Sequence, residues 1–212
     1  ADTGYAREIY RRLARELVAN GTTRVCMFSS LHTDATLILM EELEKAGVTG
    51  YVGKVNMDPN AAPGVLEETT EESMRETLRW LEASRDFRLV KPMLTPRFTP
   101  SCTDALLEQL GRLAAERGLY VQSHLSENPS EVAWVAQLHP DIPTYTQVYE
   151  HFGLLRQDKT IMAHAIHLSD GEKASKLLST FEKKDELQDL IAEINQNENS
   201  SETGIQVYIG DE

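Results

Sequence analysis

The sequence predicts an α/β fold in which parallel strands alternate with crossover helices. It reads as a partial (β/α)8 TIM barrel with about five strands, followed by a short helix-and-strand tail. Three observations carry this. Short β-branched runs are each followed by a longer segment with helical apolar spacing, the signature of parallel strands and their crossovers. The strand starts, at residues 24, 51, 89, 119 and 160, leave room for a right-handed crossover every time. The reactive side chains His32, Asp58, Arg97, His124 and His164 fall just after those strands, where both barrels and open sheets place their sites. An open doubly wound sheet meets the same conditions, but no GxGxxG or Walker-type loop follows any strand, and this favours the barrel.

Each element has a local reason. A helix over residues 6–19 ends at Asn20-Gly21, and the first strand spans residues 24–29. A second helix over 35–46 is closed by Gly47 and leads into a strand over 51–55. Thr69 with Glu72 forms a capping-box pattern that opens the next helix, ahead of a strand over 89–94. Ser101 is the expected cap of the following helix, which Gly118 stops before a strand over 119–123. Asn128-Pro129, a cap followed by proline in the first turn, starts a helix that precedes the strand over 160–163. Composition shifts near Lys173. Residues 176–194 form an amphipathic helical pattern with apolar residues at 177, 178, 181, 187, 190, 191 and 194, and Ile205, Val207 and Ile209 alternate as in a strand. Two domains are therefore expected, 1–172 and 173–212.

Charge and cysteine content narrow the function. With 212 residues and 41% hydrophobic content the chain can build a core, and a net charge of −13 excludes the cation-rich surface that nucleic acid requires. No apolar run approaches the roughly 20 residues of a membrane span, and no basic-then-apolar leader opens the sequence, so no membrane partner and a cytoplasmic location are expected. Cys26 and Cys102 are too few for a disulfide framework or an all-thiolate zinc site, so any metal must draw on His and carboxylates.

Four stretches hold residues suited to chemistry. In Gln122-Ser123-His124-Leu125-Ser126-Glu127-Asn128 a strand end presents an imidazole and, three residues on, a carboxylate. Such a pair suits a zinc ligand and a proton shuttle, or else a core histidine beside a helix cap. Met162-Ala163-His164-Ala165-Ile166-His167 ends another strand, where His164 would face the same water as His124 while His167 satisfies a buried carbonyl. Thr95-Pro96-Arg97-Phe98 offers a guanidinium for the O6/N7 edge of a purine and a ring to stack on it, or a surface ion pair with core packing. In Ser30-Leu31-His32-Thr33-Asp34, capping by Thr33 or Asp34 accounts for most of the pattern. His139 and His151 read as solvated.

Together with Asn20-Gly21-Thr22-Thr23, Val52-Gly53-Lys54-Val55-Asn56-Met57-Asp58, Glu68-Thr69-Thr70-Glu71-Glu72-Ser73 and Lys91-Pro92, these stretches stand in the order found in guanine deaminases. Residues 1–172 thus resemble that family of the amidohydrolase superfamily. The resemblance implies a zinc-dependent hydrolysis of guanine to xanthine and ammonia. In it His124 binds zinc, Glu127 relays protons, His164 holds or orients the metal-bound water, and Arg97 with Phe98 receives the purine. Family members also carry a His-x-His pair on the first barrel strand and an Asp on the last. This sequence contains no His-x-His, so an incomplete metal site and no turnover by the chain alone are expected. Residues 176–212 resemble the C-terminal part of a bacterial heat-inducible transcription repressor. The other expectation is accordingly a non-catalytic interaction module, or a fusion joined between Glu172 and Ser175. Open strand edges at 24–29 and 160–163 allow a homo-oligomer.

Overall fold

The computed structural model describes residues 2–58 and 69–173 and divides the chain into two compact units, Ala1–Leu168 and Ser169–Glu212. In the first, helices α1 (Thr3–Ala19), α2 (Thr33–Lys45), α3 (Thr70–Ala83), α4 (Asp104–Arg117), α5 (Pro129–Leu138) and α6 (Tyr145–His151) alternate with seven strand segments. These are β1 (Arg24–Phe28), β2 (Thr49–Gly53), β3 (Val55–Asn56), β4 (Val90–Pro92), β5 (Thr95–Pro96), β6 (Val121–Leu125) and β7 (Thr160–His164). Every pairing is parallel, in the groups β1-β2-β4, β3-β5 and β6-β7. A parallel bridge between Leu94 and Val121 connects the line of β4 and β5 to β6, so pairing follows chain order through the strand positions.

The strand expected over 51–55 is broken into β2 and β3, and the strand expected over 89–94 is β4 alone, with the short β5 following after a break. The breaks are matched: Val52 pairs with Pro92 before them and Val55 with Thr95 after. Pro92 and Pro96 have no N–H to give a ladder, and Met93 N–H turns to Val52 O at 3.0 Å. Gly53 sits at the break because a Cβ there would lie 1.6 Å from Thr95 Oγ1.

The helix ends follow local chemistry. Thr69 and Glu72 form the reciprocal capping box expected of them. Asn128 caps α5, its side chain accepting from Glu131 N–H at 2.9 Å. The cap of α4 is Thr103 rather than Ser101. Proline 100 holds 99–101 in a 3-10 turn, where Ser101 Oγ donates back to Phe98 O at 3.0 Å. At α2 the N-cap position is His32, with no side-chain cap bond, and Thr33 and Asp34 lie inside the helix. Helix α6, seven residues long and capped by Thr144, has no counterpart in the sequence reading.

The core of this unit joins α2, α3, α4 and α6 to the strands through Leu39, Leu43, Trp80, Leu107, Leu110, Val121 and Tyr149, all almost fully buried. Asp58 fastens two helix starts to it, accepting from Thr103 N–H at 2.7 Å and from the Thr70 and Thr103 hydroxyls at 2.5 and 2.6 Å. Among the described residues no helix is long and apolar enough to cross a membrane. In the second unit, Ser169 and Glu172 exchange hydrogen bonds as a capping box, while the expected helix at 176–194 and strand near 204–211 lie outside the described residues.

Helices α1 and α2 are clamped by Glu42. Its side chain is 4% exposed, 3.1 Å from Arg7, 3.3 Å from Arg11 and 3.0 Å from Lys45. Burial pushes the carboxyl up, but the hydrogen bonds from Lys45 and Arg11 outweigh it and hold the group below its ordinary value of 4.5. A depressed carboxyl stabilises the fold above that value and loses its contribution as the pH falls through the lowered one. Glu42→Gln is therefore expected to cost about 1–2 kcal/mol at neutral pH, the worth of hydrogen bonds to charged groups whose partners can return to water. The same substitution should make the thermal midpoint less sensitive to pH below 4.5, as measured by melts from pH 7 to pH 3.

Candidate active site

The strand ends of β6 and β7 bring two histidines together. Their register pairs His124 with Ala163 and Leu125 with His164. The imidazoles of His124 and His164 stack with centroids 5.5 Å apart and planes 22° from parallel. Glu127 follows on the loop after β6, with Oε1 3.7 Å from His164 Nε2, and both side chains remain solvent-accessible. Glu127 does not cap α5, since Asn128 does.

Backbone geometry produces this approach. Ser126, His164 and Ala165 have φ of 48°, 70° and 53°, in the left-handed region that L-residues avoid. Three hydrogen bonds lace the two turns: Ala165 N–H to Leu125 O at 2.7 Å, Ile166 N–H to Ser126 O at 3.2 Å and His167 N–H to Ser126 O at 3.0 Å. Strain of this kind clusters where function requires a fixed geometry. Ala165→Gly should release part of it. A left-handed residue costs about 1–2 kcal/mol and the added glycine entropy returns roughly half of that, so a net gain of about 0.5–1 kcal/mol is expected. It would appear as a midpoint rise of about 2 °C in a thermal melt.

His124 is held on several sides. Its Nδ1 lies 2.6 Å from Arg97 O, and a carbonyl only accepts, so Nδ1 carries a proton. Its backbone N–H also donates to Arg97 O, at 3.2 Å, and the ring of Phe28 from β1 packs 4.4 Å from the imidazole. The carbonyl satisfied by a histidine is thus that of Arg97, bound by His124; His167, assigned such a role in sequence, is exposed.

Arg97 and Phe98 leave the end of β5 as a pair. Arg97 N–H is anchored on Asn56 O at 3.1 Å, its guanidinium is exposed, and its central carbon lies 5.3 Å from the centroid of the Phe98 ring. Trp134 of α5 meets Phe98 edge-on at 6.2 Å. Strand pairing puts these groups beside His124, because Arg97 O is where the imidazole docks.

Other candidates lie elsewhere. His32 is exposed at the start of α2, its N–H on Ser30 Oγ at 3.3 Å, and no hydrogen bond, ion pair or ring contact among the described residues joins it to His124, His164 or Glu127. His139, expected in solvent, has a side chain only 8% exposed, set against the Phe152 ring, because the unforeseen α6 folds back over it. His151 is exposed as expected. Cys102 is buried, which pushes its thiol up to about 12 and keeps it protonated and inert. Phe28, Trp134 and Tyr149 were not singled out in the sequence, where nothing but proximity in space distinguishes them from core residues.

A zinc centre can be tested against this donor set. Among the described residues no group of three or more His, Cys, Asp and Glu side chains is placed to hold a metal ion. A catalytic zinc ordinarily has three protein ligands, so the described residues do not by themselves fit one.

The chain is 45% identical to mouse guanine deaminase over 172 residues, covering 80% of this chain and 38% of the relative. It superposes with a TM-score of 0.80 and 44% identity on guanine deaminase from C. acetobutylicum with guanine bound in the active site, over 84% of this chain and 42% of that one. A zinc-bound adenosine deaminase from Xanthomonas campestris, 21% identical with a TM-score of 0.69 over 83% of this chain and 38% of that one, shares the fold. The chain thus spans less than half the length of these relatives. Its α/β fold of parallel strands and helices is similar to that of amidohydrolase barrels, and the family model described as "Amidohydrolase family" matches residues 1–206: the chain belongs to the amidohydrolase family.

Proposed function

We propose that residues 1–172 are a segment of a guanine deaminase, a hydrolase that converts guanine and water to xanthine and ammonia, and that they form part of a (β/α)8 TIM barrel with its site at the strand ends. The observation that carries this is the convergence of His124, His164, Glu127, Arg97 and Phe98 at adjacent strand ends of a chain 45% identical to mouse guanine deaminase. Arg97 matches the O6/N7 edge of guanine with two parallel N–H donors, and Phe98 supplies a face for stacking. In the hydrolysis, water oxygen bonds to the carbon bearing the exocyclic amine. Glu127 takes one proton from that water and delivers it to the neighbouring ring nitrogen; the remaining proton of the new hydroxyl passes to the amine as the carbon–oxygen double bond forms, the carbon–nitrogen bond breaks, and ammonia leaves. His164, 3.7 Å from Glu127, holds the carboxylate and the water in place.

Zinc enters as a proposal of the same standing: His124 would be one ligand through Nε2, and the ligands that complete the centre are not among the described residues. The chain alone is accordingly inactive under this reading. The boundary near 172/173 and the origin of residues 173–212 belong to it as well, as do a cytoplasmic site of action and a chain that binds neither nucleic acid nor membrane and forms a homo-oligomer. The test exchanges residues 2–173 for the corresponding segment of mouse guanine deaminase. The hybrid is expected to deaminate guanine within about tenfold of the parent, whereas a folded hybrid with no activity overturns the proposal.

A further inference from the structure

Tyr149 of α6 sits behind His124, fully buried. Its hydroxyl donates to His124 O at 2.7 Å and lies 2.7 Å from Ser123 Oγ. Ser123 Oγ also lies 2.7 Å from Pro96 O and 3.3 Å from Arg97 O, its single proton serving either the phenol oxygen or one of these carbonyls, and Arg97 O accepts from His124 Nδ1. These contacts close a circuit from α6 through the ends of β6 and β5 back to the imidazole. The phenol and the Ser123 hydroxyl are both buried, so losing the bond between them leaves a buried polar atom without that partner. Burial also raises the Tyr149 phenol well above its ordinary range, so it remains a donor wherever the protein is folded.

Tyr145, one helical turn earlier, provides a built-in comparison. Its ring stacks on that of Tyr149 with centroids 5.6 Å apart, yet its hydroxyl is 3.5 Å from His124 O, at the limit of a hydrogen bond. Both rings fill the core in the same way, and only one hydroxyl grips the strand end.

We propose that Tyr149 is a positioning residue for the candidate active site: by pinning the His124 carbonyl it holds the imidazole on Arg97 O, fixing the Nδ1–H tautomer and tying His124 to the residue that carries the purine-binding guanidinium. The value of this device for catalysis rests on the guanine deaminase reading, but its existence does not. The Nδ1–H tautomer leaves Nε2 free toward the site, as an imidazole that works through that nitrogen requires.

The experiment is nitrogen-15 NMR of the histidine rings in the whole chain, at one pH, for wild type, Tyr149→Phe and Tyr145→Phe. Tyr149→Phe keeps the ring and removes the hydroxyl. Its ratio of Nδ1–H to Nε2–H tautomer at His124 is expected to fall roughly fivefold, the factor that one ordinary hydrogen bond is worth. Tyr145→Phe should leave that ratio unchanged. A merely structural role would lower the melting temperature of both variants alike and leave the His124 signals where they were, and that result overturns the proposal. If Tyr149→Phe does not fold, Ser123→Ala removes the phenol's other partner and is expected to shift the same ratio in the same direction; an unchanged ratio there counts against the proposal equally. Failure of the deaminase reading would appear separately, as a folded hybrid without guanine turnover and a His124 tautomer still dependent on Tyr149.

Discussion

Glu127→Gln, introduced into the hybrid that carries residues 2–173 in the mouse enzyme, is expected to lower kcat for guanine by about 10²–10⁴-fold, the range that a positioned general acid–base supplies. The amide keeps the shape of the side chain and its ability to approach His164, now 3.7 Å from the carboxylate, but cannot accept and return a proton. Substrate binding by Arg97 and Phe98 does not involve Glu127, so KM should stay within about threefold. Steady-state kinetics of xanthine formation checks both expectations. A large rise in KM with kcat preserved would show that Glu127 binds rather than transfers protons.

The largest expected effect on the fold comes from Gly111. It lies in the middle of α4, and a Cβ there would meet Phe152 O at 1.8 Å and its carbonyl carbon at 3.0 Å. Both are backbone atoms at the end of α6, so no side chain can swing away and the two helices must separate. Gly111→Ala is therefore expected to cost about 3 kcal/mol or more, the upper part of the range for overpacking, despite alanine's better helix propensity. Gly118, the left-handed C-cap of α4 with φ 62° and open space around its Cβ position, is the control. Gly118→Ala meets only the backbone penalty of about 1–2 kcal/mol. Urea unfolding of the two variants should show the helix-interior substitution to be the more damaging, the reverse of the order expected from helix propensity. Because α6 also carries Tyr149, Gly111→Ala should disturb the histidine site from a distance.

Much of this arrangement was legible in the sequence, and the reason is one-dimensional. In parallel α/β folds the reactive side chains gather at strand ends, so recognising where a strand stops places His124, His164, Arg97 and Phe98 without knowledge of packing. Glu127 followed because three residues beyond a strand end is still the same rim. Capping patterns were equally local, as Thr69 with Glu72 and Asn128 with Pro129 show. Ser101 was misread as a cap because Thr103 is equally competent and only the turn imposed by Pro100 decides between them.

What the sequence hid depends on contacts between distant segments. The break between β2 and β3 and the matching one between β4 and β5 are a register property of neighbouring strands that neither segment carries alone. Helix α6 is too short for a clear apolar period, and with it went the burial of His139 and the grip of Tyr149 on His124. Phe28 and Trp134 look like ordinary core and surface aromatics until β1 and α5 bring them beside His124 and Phe98. The left-handed turns at Ser126, His164 and Ala165 carry no glycine to announce them.

The measurement that bears most directly on the central claim is the yield of xanthine and ammonia from guanine by the hybrid, with folding confirmed by its melting transition. Equal amounts of the two products, abolished by Glu127→Gln, are the predicted result. A folded hybrid that releases neither product would contradict the assignment of these strand ends to guanine deamination.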